Sequence, residues 1–202
     1  MLSGLGCTGK IISSINLEGI QTIEVLSVER AAVEKKSSPG KQIVVFLNDA
    51  DLIAHGVDGF IETARAAPDI LVIYINSLVY SIAQCLPVSQ AAGHSVYESR
   101  ELPYNIPYLA MSCGAHYVAR WTSLHTRRLT FSIADALRIK KLSVIEVISP
   151  CLMYYAKLHP VNTSLERAAH LARSILNHGE LVENLDVRRS DEIIMGIFKN
   201  PK

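Results

Sequence analysis

Asp49 and Ser77 are two side chains whose types and placement suit a hard divalent cation. Asp49 follows the run Ile43-Val44-Val45-Phe46-Leu47-Asn48 and precedes Ala50-Asp51, while Ser77 follows Ile70-Leu71-Val72-Ile73-Tyr74-Ile75-Asn76. Mg²⁺ takes a few hard oxygens and keeps the rest of its shell for phosphate and water, so one carboxylate, one hydroxyl and a main-chain carbonyl suffice beside a diphosphate. Both oxygens come abruptly after short apolar, β-branched runs, which read as buried parallel strands. Ligands of open α/β sheets gather beyond the carboxyl ends of such strands. The pattern predicts a metal-diphosphate site at two neighbouring strand ends. The alternative for Asp49 is a plain strand-end cap.

Several elements must hold those ends in place. A polar helix is expected over residues 27–36, broken by Ser37-Ser38-Pro39-Gly40 ahead of the first strand. A second helix is expected over 53–66, closed by Ala67-Pro68. Residues 70–88 carry no charge, but Asn76, Ser77, Ser81, Gln84 and Pro87 argue for a buried strand and ligand loop rather than a membrane span. Residues 90–107 read as an irregular loop, and 108–113 as the end of a short helix capped by Gly114. A third strand is expected over 116–120, a helix near 131–141 and a fourth strand over 144–149. Thr163 and Glu166 have capping-box spacing, which predicts a helix over 164–177 with Gly179 past its end.

Composition bounds the possibilities. With 202 residues, 49% hydrophobic and 19% charged, the chain fills one α/β core, read as a single domain over 1–202 with 152–202 as a C-terminal helical extension. A net charge of +1 gives no push toward nucleic acid or membrane. Arg127-Arg128 and Lys140-Lys141 read as a solvated helix face and its flanking loop. Four cysteines without a Cys-x-x-Cys pair or signal peptide fit a reducing cytoplasm. Cys85 and Cys113 read as packing residues. The seven histidines show no ligand spacing, and His55 alone lies near the metal loop. Gly4-Leu5-Gly6-Cys7-Thr8-Gly9 fits the dinucleotide fingerprint but lacks the strand, turn and helix that would present a diphosphate.

Four fragments occur in a telling order: Ser3-Gly4-Leu5-Gly6-Cys7-Thr8-Gly9-Lys10; Asn48-Asp49-Ala50-Asp51 with Asn76-Ser77-Leu78-Val79-Tyr80; Cys113-Gly114-Ala115-His116-Tyr117-Val118-Ala119-Arg120; and Val144-Ile145-Glu146-Val147-Ile148-Ser149-Pro150-Cys151. Together they resemble the beta subunit of 2-oxoacid:ferredoxin oxidoreductases. The corresponding segments there read Ser-Gly-Ile-Gly-Cys-Ser-Gly, Gly-Asp-Gly with Asn-Asn, Ala-Gly-Ala-x-x-Val-Ala-Arg, and Val-Glu-Val-x-Ser-Pro-Cys. The resemblance implies the thiamine-diphosphate-binding fold, a three-layer α/β/α sandwich with a mostly parallel sheet. It implies Mg²⁺ held by Asp49, Ser77 and the carbonyl of Val79, with Gly6, Cys7, Thr8, Asn48, Ala50, Asp51 and Tyr80 also around the cofactor. A hydroxyl residue takes the place of the second Asn in the pyruvate branch, so Ser77 fits as a ligand. Asn48 and Ala50 replace the two glycines, and Ala50 stands where glycine lets backbone approach the diphosphate closely.

The implied activity is oxidative decarboxylation of a 2-oxoacid, such as pyruvate or 2-oxoglutarate, to an acyl-CoA. Thiamine diphosphate would serve as electron sink, and electrons would pass to ferredoxin. The implied partners are an alpha-type subunit, ferredoxin, the 2-oxoacid and coenzyme A, with no nucleic acid and no membrane. The family pattern includes a Trp-Cys-Pro-Gly-Cys-Gly segment upstream of the first loop, giving two of four cysteine ligands of a four-iron cluster. Cys7 and Cys151 match the other two and form half a site, or a metal-free structural pair. Gly19 to Glu24 and Gly56-Val57-Asp58-Gly59 lack the histidines of that pattern, and Ile82-Ala83-Gln84-Cys85 lacks its Thr-Gly-Gly-Gln. The expectation is therefore an N-terminally truncated or divergent beta subunit. A non-catalytic interaction subunit with a decayed cofactor site is the alternative.

Overall fold

A computed structural model describes residues 28–37, 40, 42–48, 57–66, 68–76, 105–149, 174–176 and 193–200. The apolar runs form strands β1 (Ile43–Asn48), β2 (Ile70–Asn76), β3 (Tyr117–Thr122) and β4 (Ser143–Ile148). Helices α1 (Val28–Ser37), α2 (Asp58–Ala66), α3 (Ile106–Ser112) and α4 (Thr126–Arg138) lie between or before them. Two further strands follow, β5 (Ser174–Leu176) and β6 (Ile193–Lys199). The sheet order is β1-β2-β4-β3-β6-β5, parallel throughout except where β6 runs antiparallel to β3.

Strands this uniformly apolar are stable only when both faces are covered, and every residue of β3 and β4 is buried. Alternate side chains point to opposite faces. Val45, Val72, Val118 and Val144 pack with Ala31 of α1, Phe60 and Ala64 of α2, and Ile106 and Ala110 of α3. Val44, Leu71, Ile73, Ala119 and Ile145 pack against Ala136, Leu129, Ile133 and Leu137 of α4. The molecule is thus the expected three-layer α/β/α sandwich.

Topology follows from those faces. From β1 to β2 to β3 the chain moves one way across the sheet, with α2 and α3 on one face; from β3 it steps back to β4, and α4 lies on the other. A constant crossover hand requires this change of face when direction reverses. The reversal falls across β2, β4 and β3, so the carboxyl end of β2 borders it and that of β1 stands one strand away.

Boundaries differ from the sequence expectation in instructive places. The short helix starts at Ile106 inside the expected loop, because the Asn105 side chain accepts from the backbone N–H of Tyr108 at 3.4 Å and Pro107 suits a first turn. It ends as expected, with Gly114 at φ +97°, a backbone conformation that side chains other than glycine rarely adopt. Helix α4 begins at Thr126 rather than near 131. The Thr122 hydroxyl accepts from Leu124 N–H at 3.3 Å and the Thr122 carbonyl from His125 N–H at 2.9 Å, closing the turn at once.

The expected helix over 164–177 is corrected at its end. Ser174-Ile175-Leu176 is a strand in register with Ile193-Ile194-Met195, where pairing with a neighbour overrides local helix propensity. With β6 also a strand, the described residues beyond 152 extend the sheet instead of forming a helical appendage. The capping-box residues Thr163 and Glu166 lie outside the described residues. Among the described residues no helix is long and apolar enough to cross a membrane.

Candidate metal and cofactor site

Parallel pairing of Ile43 with Ile70 through Asn48 with Ile75 brings the carboxyl ends of β1 and β2 side by side and nearly level. Asn48 is the last residue of β1 and Asn76 the last of β2. In sequence Asp49 follows the first and Ser77 the second. Asn48 is half-buried and lies in extended strand backbone, so the first of the two replaced glycines needs no glycine conformation here. Gly6, Cys7, Thr8, Asp49, Ala50, Asp51, Ser77, Val79, Tyr80 and Cys151 lie outside the described residues, as do His55 and Cys85. Among the described residues no group of three or more His, Cys, Asp or Glu converges on a point where a metal ion could sit.

Immediately beneath the end of β2 is a chain of buried polar groups. Tyr74, Glu146 and Arg120 are cross-strand neighbours in one row of β2, β4 and β3. Asn76 Nδ2 donates to Glu146 Oε1 at 2.7 Å, and Arg120 Nε donates to Glu146 Oε2 at 2.5 Å. The carbonyl of Asn76 accepts from the N–H of Ser149 at 2.8 Å. All three side-chain owners are buried, with Arg120 1% and Glu146 2% exposed, so each charge depends on partners within the protein. Arg120 also donates from Nη1 to the carbonyl of Ile194 at 3.5 Å and lies 5.9 Å from the centre of the Phe198 ring, both on β6.

The next strand end is held differently. Thr122 Oγ1 and His125 Nδ1 are 2.7 Å apart, and α4 starts there with exposed Arg127 and Arg128 in its first turn. Their guanidinium groups lie over Phe131 at 5.8 Å and Trp121 at 5.9 Å. This solvated basic pair, like exposed Lys140 and Lys141, is as expected. Under α4, on the opposite face from Glu146, the Tyr117 hydroxyl meets Ser132 Oγ at 2.5 Å, and Trp121 Nε1 donates to the same oxygen at 2.8 Å. Burial pushes the Tyr117 phenol above its ordinary value, the Ser132 hydrogen bond opposes this, and nearby Asp135 adds to the rise. Cys113 packs, half-buried, against the core, as expected.

Sequence comparison supplies what the described residues do not. In an alignment 205 positions long that takes in 99% of this chain, it is 30% identical to 2-oxoglutarate synthase subunit KorB of Methanothermobacter thermautotrophicus and covers 72% of that protein. With the subunit of the same name from Archaeoglobus fulgidus, identity is 31% in an alignment 204 positions long, covering 98% of this chain and 73% of the relative. It is also 29% identical, over 76% of its length, to half of the beta subunit of 2-oxoacid:ferredoxin oxidoreductase 1 from Aeropyrum pernix. The chain is a beta-type subunit of the 2-oxoacid:ferredoxin oxidoreductase family. No protein-family model matches it. Its fold is shared with 2-oxoglutarate:ferredoxin oxidoreductase of Magnetococcus marinus, with a TM-score of 0.63 over 87% of this chain and 62% of that one, at 15% identity.

Membership in this oxidoreductase family agrees with the four fragments, and two of those fragments are the strands that meet at Glu146. Sequence reasoning quoted Arg120 and Glu146 only as letters of a motif and missed their pairing. The signal was present. One cation in Tyr117-Val118-Ala119-Arg120-Trp121 and one anion in Val144-Ile145-Glu146-Val147-Ile148, each alone in an otherwise apolar strand, must find each other or be left as buried charge.

Proposed function

We propose that this beta-type subunit carries the diphosphate end of thiamine diphosphate and takes part in oxidative decarboxylation of a 2-oxoacid to an acyl-CoA, with electrons passed to ferredoxin. The observation that carries the reading is the level, parallel pairing of β1 and β2, whose last residues immediately precede Asp49 and Ser77. Strand ends about 5 Å apart are close enough for one cation to bridge groups from both. The donor set of carboxylate, hydroxyl and the Val79 carbonyl suits Mg²⁺, and Asn48, Ala50, Asp51, Tyr80, Gly6, Cys7 and Thr8 line the cofactor in this reading. When bound, thiamine diphosphate supplies the electron sink for decarboxylation. The protein's part is to fix the diphosphate, exclude water and orient the substrate.

The relatives named 2-oxoglutarate synthase make 2-oxoglutarate the first substrate to try. The remaining half of the cofactor pocket belongs to an alpha-type subunit. Cys7 and Cys151 are half of a four-iron site that two further cysteines complete. The test is reduction of ferredoxin or a viologen dye by the alpha-beta assembly. Turnover should require 2-oxoacid, coenzyme A, thiamine diphosphate and Mg²⁺, and Asp49→Ala should abolish both cofactor binding and turnover. Full binding and turnover in Asp49→Ala would overturn the site. Absence of cofactor binding in the unaltered assembly would favour the non-catalytic interaction subunit, the reading that the Ala50 replacement supports.

A further inference from the structure

Resting on the reading that Asp49 and Ser77 hold Mg²⁺, we propose that Asn76 is the positioning residue of the metal loop, locked in place by the buried Glu146–Arg120 pair. Asn76 is the last residue of β2, and the residue after it is Ser77. Its side-chain amide donates to Glu146 at 2.7 Å and its carbonyl accepts from Ser149 at 2.8 Å. Side chain and main chain are therefore tied to β4 and to the residue just past it, which fixes the last peptide of β2 from both sides. Mg²⁺ demands near-ideal octahedral geometry at short distances and tolerates little error in its ligands. A ligand one peptide away from a doubly anchored residue meets that demand.

The choice of a charged anchor supports the assignment. A buried ion pair generally adds no more stability than apolar residues of the same volume, because desolvation offsets the attraction. In this sheet, Val, Ile, Leu and Ala fill neighbouring positions. What an apolar pair cannot do is accept a hydrogen bond from Asn76. Glu146 has two oxygens: Arg120 orients the carboxylate through Oε2, leaving Oε1 aimed at the amide. The Ser149 hydrogen bond adds a second consequence. Ser149 is two residues before Cys151, so one hydrogen bond joins the peptide that precedes Ser77 to a residue just ahead of the candidate cluster cysteine.

The experiment uses Mn²⁺ in place of Mg²⁺ and follows its binding with thiamine diphosphate to the alpha-beta assembly by electron paramagnetic resonance, with thermal midpoints measured alongside. Asn76→Ala keeps the ion pair and the main-chain bond to Ser149 and removes the side-chain tie. It should weaken Mn²⁺ binding on the order of tenfold, and because buried Glu146 Oε1 loses a donor the metal-free midpoint should fall as well, so affinity is read well below that midpoint. The exchange Asn76→Asp with Glu146→Gln rebuilds the link in reverse, the Gln amide nitrogen donating to Asp and its oxygen accepting from Arg120. Each single change should weaken Mn²⁺ binding, and the double exchange should recover much of the loss, which a merely structural role would not produce. Unaltered affinity in Asn76→Ala, or a double exchange as stable as the parent that binds no better than the singles, would overturn the positioning role while leaving the metal site intact. Equal binding by Asp49→Ala and the parent would instead remove the metal site, and this inference with it.

Discussion

The two faces of the sheet each bury a polar cluster, and the clusters are built from different chemistry. Under α4, Tyr117, Trp121 and Ser132 share neutral hydrogen bonds around one hydroxyl oxygen. On the other face, Asn76, Glu146 and Arg120 join three strands through a full ion pair. The neutral cluster ties α4 to β3 within sixteen residues of chain and needs no more than local packing. The charged one reaches from β2 through β4 to β3 and ends at the strand terminus that precedes Ser77. Charge buried at such cost, at that place, marks the face where position matters more than stability.

Mutations should separate the two clusters in graded fashion. Glu146→Ala leaves the Arg120 guanidinium buried and unneutralised, and should cost about 3–5 kcal/mol in denaturant unfolding, the largest single effect expected. If it costs no more than the neutral cluster, the contrast fails. Ser132→Ala strands the Tyr117 hydroxyl and the Trp121 indole N–H together and should cost about 1–3 kcal/mol, without altering metal or cofactor binding.

The pH response sharpens the same contrast. The Tyr117 phenol is held above its ordinary 10.0 by burial, so the folded state binds its proton more tightly than the unfolded state does. Its contribution is fully present below pH 10 and is lost as pH rises through the higher folded value. Tyr117→Phe should therefore flatten the alkaline fall in stability measured from pH 9 to 11.5. A fall of unchanged steepness would show that another group governs it. The smallest effect belongs to the surface: Asp135 and Arg138 pair at 3.0 Å with most of the Arg side chain exposed. Arg138→Ala should change stability by no more than about 0.5 kcal/mol.

Much of this architecture was legible beforehand, and the reasons are specific. β1, β2, β3 and β4 were readable because strands buried on both faces leave apolar runs, broken only by Arg120 in β3 and Glu146 in β4, with turn residues between them; their order in the sheet was not among the expectations. Gly114 announced the end of α3. β5 was misread because Ser174-Ile175-Leu176 has no preference of its own and becomes a strand through Ile193-Ile194-Met195, a partner distant in sequence. That partner, an apolar run in its own right, was a signal left unused. The neighbouring strand ends that precede Asp49 and Ser77 stand as expected. The proposed metal ligands Asp49, Ser77 and Val79, with Cys7 and Cys151, fall outside the described residues. The Glu146–Arg120–Asn76 chain was hidden for another reason: a motif records which residues occur, whereas register decides which of them touch.

β6 carries one more consequence, which concerns time. Arg120 reaches Ile194 and Phe198 on β6, and 74 positions separate Arg120 from Ile194. Opposite Arg120 stands Gly196, at φ +136° beside an irregularity in the pairing. The parallel core closes a stretch of similar length, since Asn76 and Glu146 stand 70 positions apart, so both pairings are non-local and slow to form. During refolding, Arg120 should therefore remain hydrated on one side until β6 docks, and the step that completes the sheet also dries the ion pair. Amide protection of β2 and β6 should therefore both rise late in refolding, because the Asn76–Glu146–Arg120 chain is complete and dry only once both distant strands are in place.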